Sequence, residues 1–332
     1  MVPTREGDAR MVEFGKLKSP IEWPGVRAGI VEQVSEVLGP LPKKRVELQV
    51  KTLDERDFPG YVRKRINYFV DEWDRISAWL FIPDGKEETP AILCCHQETP
   101  IGKDEAAGLG GDSRMALAQR YCADFGYVTM APDCLTAGDR VAGKQEPLKA
   151  KAYYKASTKL SMLGKMLADH MHAIDVLTEM KRVDGSRIGV IGHGLGATNA
   201  ITLTAFDDRV STCVASCGFT RFEQEGSGAR WTEPDGLNLL PKLKPYFESG
   251  KFPFDWEHLL ALAAPSPMLV LNNLHESVYA NPKSCEKAAK AAQHIYKILG
   301  AGGALDYYAH NDGHTITEPT MELADEWFER WL

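Results

Sequence analysis

The stretch Ile188-Gly189-Val190-Ile191-Gly192-His193-Gly194-Leu195-Gly196-Ala197-Thr198-Asn199-Ala200 decides how this chain is read. A short β-forming run ends, a tight glycine-rich turn follows, and a helix-compatible run begins. Strand, sharp turn and helix are the setting of a nucleophile elbow, G-x-S-x-G. Its flanking glycines are needed because strand and helix backbones come close. Gly192, His193, Leu195 and Gly196 fit the pattern. The central place holds Gly194, where the pattern demands Ser, Cys or Asp. Glycine has no side chain and forms no acyl-enzyme. A phosphate-binding G-x-G-x-x-G turn is the competing reading of Gly192 to Ala197. That motif belongs on a first strand with an acid about 20 residues later. Here the strand is a late one, and Asp207 and Asp208 come too early.

Working outward, apolar runs alternate with helical spacing. Strands are expected at 91–95, 127–131, 187–191, 210–216, 268–272 and 305–309. Helices are expected at 114–125, 158–181, 195–206, 282–299 and 318–332. Such alternation predicts an α/β fold with a mostly parallel, twisted sheet covered by helices on both faces. Two β-rich runs, 62–70 and 75–82, flank the polar break Asp71-Glu72-Trp73-Asp74 and read as an antiparallel hairpin at one edge. Residues 1–60 read as an N-terminal extension carrying one helix, and 61–332 as the main domain. Residues 220–265 break the alternation and carry Trp231, Phe252, Phe254 and Trp256. They read as a cap-like insertion whose aromatics wall a pocket above the elbow.

Downstream of the elbow, the strand 268–272 runs into Leu274-His275-Glu276, and Asn311-Asp312-Gly313-His314 precedes the last helix. Elbow, acid and base follow in that chain order. Glu276 would orient the imidazole of His314, which would act as general base and then acid. His310 is the lesser rival. The strand 91–95 empties into His96-Gln97-Glu98-Thr99-Pro100, so the backbone N–H groups of Gln97 and Leu195 are nominated as oxyanion donors. Backbone donors do not depend on the missing side chain.

From about residue 60 onward the sequence resembles the α/β-hydrolase superfamily, and within it acetyl xylan esterases and dienelactone-hydrolase-like bacterial esterases. The residues carrying this are Asp71 to Ile76, Cys95 to Lys103, Gly126 to Asp133, the elbow, and Asn311 to His314. The resemblance implies an ester-cleaving ancestor with serine at position 194. It departs at Gly194, and at Glu276, where Asp is more usual.

The 332 residues carry 39 Lys+Arg against 46 Asp+Glu, a net charge of −7, which argues against a nucleic-acid or anionic-membrane binder. No apolar run approaches a membrane span and no signal peptide is visible, so a cytoplasmic protein is expected. The seven scattered cysteines contain no CxxC pair and read as reduced, mostly buried thiols; no metal or cofactor is expected. His170 and His172 read as a helix surface, and the lysines 149, 151, 155 and 159 as a solvated face. Asp133 and Asp139 read as pocket-lining. The expected ligand is a small ester or lactone. Three readings stay open. The first is a serine esterase whose nucleophile has been replaced, leaving it inactive. The second is a nucleophile-free enzyme in which His314 activates water or a substrate proton. The third is a pseudoenzyme that only binds its ligand.

Overall fold

The computed structural model describes residues 11–332 apart from 43–45, 86, 142, 144, 158, 227 and 280. Residues 1–10 of the expected N-terminal extension, Thr158 at the start of the expected helix 158–181, and Ser227 of the expected insertion lie outside the described residues. The strands are β1 (Lys51–Phe58), β2 (Tyr61–Phe69), β3 (Arg75–Pro83), β4 (Thr89–Cys95), β5 (Val128–Pro132), β6 (Val183–His193), β7 (Val210–Ser216), β8 (Met268–Asn273) and β9 (Leu305–His310). Among the described residues they form one sheet in the order β1-β2-β3-β5-β4-β6-β7-β8-β9. The first three strands join antiparallel, β3 meets β5 antiparallel, and every pairing from β5 to β9 is parallel.

The buried strands owe their apolar runs to cover on both faces. Side chains alternate strictly between two cores. Leu93, Cys95, Val190, Cys213 and Val270 point to one core, which also holds the helices Trp23–Leu38, Met162–Thr178, Leu195–Phe206 and Pro282–Ile298. Ile92, Cys94, Ile191, Val214 and Leu271 point to the other, under the helices Leu117–Ala123 and Glu318–Trp331. The helix Leu195–Phe206 is buried on nearly every side, and its Thr202 and Thr204 hydroxyls are satisfied inside the core by donating to the carbonyls four residues back.

The last helix shows how local chemistry fixes an element. Thr317 and Thr320 close a reciprocal cap at its start, with the Thr317 N–H donating to Thr320 Oγ1 at 2.8 Å. Met321, Ala324 and Phe328 fall on one face and are buried against the sheet. Trp327 adds a hydrogen bond from Nε1 to Thr212 Oγ1, 2.9 Å long, so its one polar atom is satisfied inside the core.

Three sequence expectations need correction. Residues 51–58 lie not in a strandless extension but in β1, paired along its length with β2, so the boundary at 60 falls inside a hairpin. The strand was hidden because Lys-Thr-Leu-Asp-Glu-Arg-Asp-Phe has no alternating apolar face and is exposed at the sheet edge. His170 and His172 are buried, not a helix surface. His170 Nε2 lies 3.8 Å from Cys134 Sγ, and His172 Nδ1 bonds the Ala168 carbonyl at 2.7 Å. Asp133 does not line a pocket; it is buried under Lys103, whose Nζ is 2.9 Å away, and accepts the N–H of Lys103 and Asp139. That buried pair fixes the loop after β4.

Residues 220–265 fold into short helices around Phe222, whose ring lies 5.3 to 6.1 Å from those of Trp231, Phe247, Phe252, Phe254 and Trp256. Buried Asp255 caps the helix Trp256–Leu262 and accepts the Phe222 N–H at 2.9 Å. Trp231, Phe252, Phe254 and Trp256 are buried in the same core as the sheet strands and the helix Leu195–Phe206. Each of the seven cysteines is a free, buried thiol. No helix among the described residues is long and apolar enough to cross a membrane.

Candidate active site

β6 ends at His193, Gly194 adopts φ +55° and ψ −122°, and a helix starts at Leu195. An L-residue resists this backbone, while glycine adopts it freely. The flanking glycines are set by contact. A Cβ on Gly192 would meet the Gly196 carbonyl carbon at 2.2 Å, and one on Gly196 would meet the Cys95 carbonyl oxygen at 2.1 Å. The Gly194 N–H donates to the Ser216 carbonyl at 2.9 Å, which ties the turn to β7.

Glu276 stands in the loop after β8. It accepts the N–H groups of Val278 at 2.7 Å and Tyr279 at 3.1 Å. His314 Nδ1 lies 2.9 Å from the same carboxylate. Burial pushes the Glu276 carboxyl up, but the hydrogen bonds from His314 and the two amides outweigh it and bring the carboxyl down to about 2. An ionised Glu276 holds the proton of His314 on Nδ1 and leaves Nε2 as an acceptor. That Nε2 faces the elbow, 3.3 Å from where a Cβ of residue 194 would sit. His310 goes elsewhere, its Nδ1 lying 3.4 Å from Asp312. The ring of His193 packs 4.4 Å from that of His314, and its Nδ1 lies 3.0 Å from Ser216 Oγ. Burial and the His314 ring hold His193 down at about 3, so it stays a neutral wall.

The nominated oxyanion donors are placed differently from one another. The loop carrying Gln97 is pinned by His96, which donates from Nδ1 to the Gln97 carbonyl at 2.7 Å and accepts the Cys134 N–H on Nε2 at 3.0 Å. The Leu195 N–H is already used: it donates to Glu98 Oε2 at 2.8 Å. The same Oε2 is 2.5 Å from the point a Cβ of residue 194 would occupy. Glu98 is held from behind. Arg230 pairs with Oε1, and the Tyr279 hydroxyl donates to Oε1 at 3.1 Å. The Arg230 guanidinium lies 4.0 Å over the Tyr279 ring, and Tyr279 OH is 3.3 Å from Thr198 Oγ1 in the elbow helix. A carboxylate therefore sits where a nucleophile's side chain would reach.

Glu98, Arg230 and Tyr279 were not singled out from the sequence. Glu98 stood in the quoted stretch beside Gln97, and Arg230 beside Trp231, but no spacing rule joins positions 98, 230 and 279. Cys217 Sγ, Glu276 and His314 lie with donor atoms within 4.8 Å of one another and are the group among the described residues that could hold a metal ion. In this arrangement Glu276 and His314 spend those atoms on each other.

Residues 76–230 match the family model of the Dienelactone hydrolase family. A Bacillus subtilis (strain 168) protein, YtaP, named provisionally as a hydrolase, is 24% identical over 311 residues, covering 92% of this chain and 100% of that one. The solved structure of a glucuronoyl esterase from Solibacter usitatus superposes with a TM-score of 0.75 at 17% identity, over 99% of this chain and 98% of that one. A promiscuous CE15 esterase from a marine bacterial metagenome gives 0.75 at 19% identity, over 98% and 96%. The strand order, the elbow after β6 and these matches together give the chain an α/β-hydrolase fold, with residues 76–230 similar to the Dienelactone hydrolase family.

Proposed function

We propose that this chain hydrolyses carboxylic esters or lactones without a serine nucleophile. His314, oriented by Glu276, takes a proton from water as the water adds to the carbonyl, and returns it to the leaving alkoxide. One observation carries this reading: the Glu98 carboxylate is seated against Gly194 by Leu195, Arg230 and Tyr279, in space that a side chain at 194 would need. A site built in this way is fitted to glycine. With the Leu195 N–H engaged, the Gln97 N–H is the donor offered to the developing oxyanion. The names of the structural neighbours direct the first substrate panel to glucuronoyl esters, alongside simple acetyl esters and lactones.

A second reading, an esterase site that has lost its serine, is favoured by the 3.3 Å from His314 Nε2 to the position of a residue-194 Cβ. One experiment separates the two. The ester and lactone panel is run on the unaltered protein, His314→Ala and Gly194→Ser. A serine-free enzyme turns over without an acyl-enzyme burst and loses about 10²-fold or more with His314→Ala. An inert parent beside an active Gly194→Ser would hand the site to the second reading.

A further inference from the structure

The Glu98 carboxylate does more in this arrangement than stabilise the loop it comes from. A carboxylate offers about four acceptor positions. Oε1 spends its two on Arg230 and the Tyr279 hydroxyl, while Oε2 spends one on the Leu195 N–H. The remaining acceptor position of Oε2 belongs to the atom that lies 2.5 Å from the residue-194 Cβ point. From its own side, His314 Nε2 approaches that same point at 3.3 Å, as an acceptor, because its proton sits on Nδ1 toward Glu276. Two acceptors thus flank the ground that glycine leaves clear. A water molecule has two hydrogens to give.

Resting on the serine-free reading above, we infer that Glu98 is a catalytic residue: Glu98 Oε2 and His314 Nε2 each accept one hydrogen of the attacking water over Gly194. The water's lone pair is then left for the substrate carbonyl carbon. One O–H proton passes to His314 Nε2 as the new C–O bond forms. The bond to the leaving alkoxide breaks, and His314 returns the proton to it. Glu98 keeps its charge throughout, balanced by Arg230, and fixes the direction of attack. Gly194 belongs to the same device, since a Cβ there would press on Oε2 and displace the water.

The test uses the whole chain and p-nitrophenyl acetate. Glu98→Gln keeps the shape but replaces one acceptor oxygen with a donor, and kcat is expected to fall about ten-fold or more with KM little changed. Glu98→Ala is expected to lose more and to recover saturably with added formate, a carboxylate small enough for the emptied space, but not with chloride. Formate rescue is read within one variant, so a loss of folding cannot imitate it. A crystal structure of the unaltered protein is expected to show water about 2.6–3.2 Å from both Glu98 Oε2 and His314 Nε2. If His314→Ala abolishes turnover while both Glu98 variants stay within about two-fold of the parent, Glu98 is a structural pin and this inference fails, with the serine-free reading intact. A site without the bridging water overturns it equally. If His314→Ala changes nothing, or the parent is inert toward every ester, the serine-free reading itself falls and takes this inference with it.

Discussion

Glu98 Oε2 and Gly194 share one small volume: the oxygen lies 2.5 Å from the point a Cβ of residue 194 would take. Neither residue can be exchanged without consequence for the other. Glu98 is not a free-swinging side chain that gives way cheaply, because Leu195, Tyr279 and Arg230 hold both of its oxygens.

Gly194→Ser is therefore expected to lower stability from two sources. The positive φ costs an L-residue about 1–2 kcal/mol, and displacing Glu98 adds to it. Thermal unfolding should show a lowered Tm. Any burst of p-nitrophenol from Gly194→Ser should grow when Glu98→Ala is added, since the hydroxyl then has room beside His314. An unchanged Tm with a full burst from the single variant would show that Glu98 does not hold that space.

Glu276 links the site to acid stability. Its carboxyl is brought from 4.5 to about 2 in the folded chain. A depressed carboxylate stabilises the fold at pH values above the unfolded pKa, and that stability is lost as pH falls through the folded one. The window is thus from about 4.5 down to about 2, and the contribution is at most about 3 kcal/mol. Urea unfolding across this range should show Glu276→Gln with a shallower loss of stability than the parent. Parallel curves would contradict the assignment.

Arg230→Met removes the cation behind Glu98 and leaves a mostly buried carboxylate short of a partner. A loss of about 1.5–3 kcal/mol is expected. Glu98→Gln on the same background should cost less than it does alone, because the amide no longer faces an unpaired charge. A double-mutant cycle in urea that shows strict additivity would mean the two side chains do not interact in solution.

Trp231→Ala opens a cavity in the aromatic cluster around Phe222 and should cost about 3–5 kcal/mol. Arg230 is the next residue, so the same variant should loosen Glu98 and reduce turnover as well. Calorimetry and kinetics on one preparation measure both effects. Turnover unchanged in a destabilised but folded variant would show that the site is insulated from the aromatic cluster around Phe222.

The order of strands and helices was legible because this sheet is buried on both faces, so its parallel strands appear as unbroken apolar runs punctuated by glycine. The elbow was legible because close backbone contact leaves Gly192 and Gly196 no alternative. Glu276 and His314 could be nominated by chain order, each being an ionisable residue within four positions of a strand end. β1 escaped because an exposed edge strand has no apolar face to print on the sequence. Glu98, Arg230 and Tyr279 escaped for a different reason. They come from two loops and the short helix Ala229–Thr232, spread over positions 98 to 279, and only the folded chain brings them together. The polar pair His170 and His172 misled because imidazoles in a helix look solvent-facing until helix and sheet close over them.

The burial of all seven thiols has a practical side. With every native cysteine hidden, a maleimide dye or spin label finds no native target on the folded surface. Trp73, 90% exposed in the turn between β2 and β3, offers a place to put one. A Trp73→Cys chain would carry a single reporter without any need to strip the native cysteines first, and its local mobility could be followed during turnover on an otherwise unaltered interior.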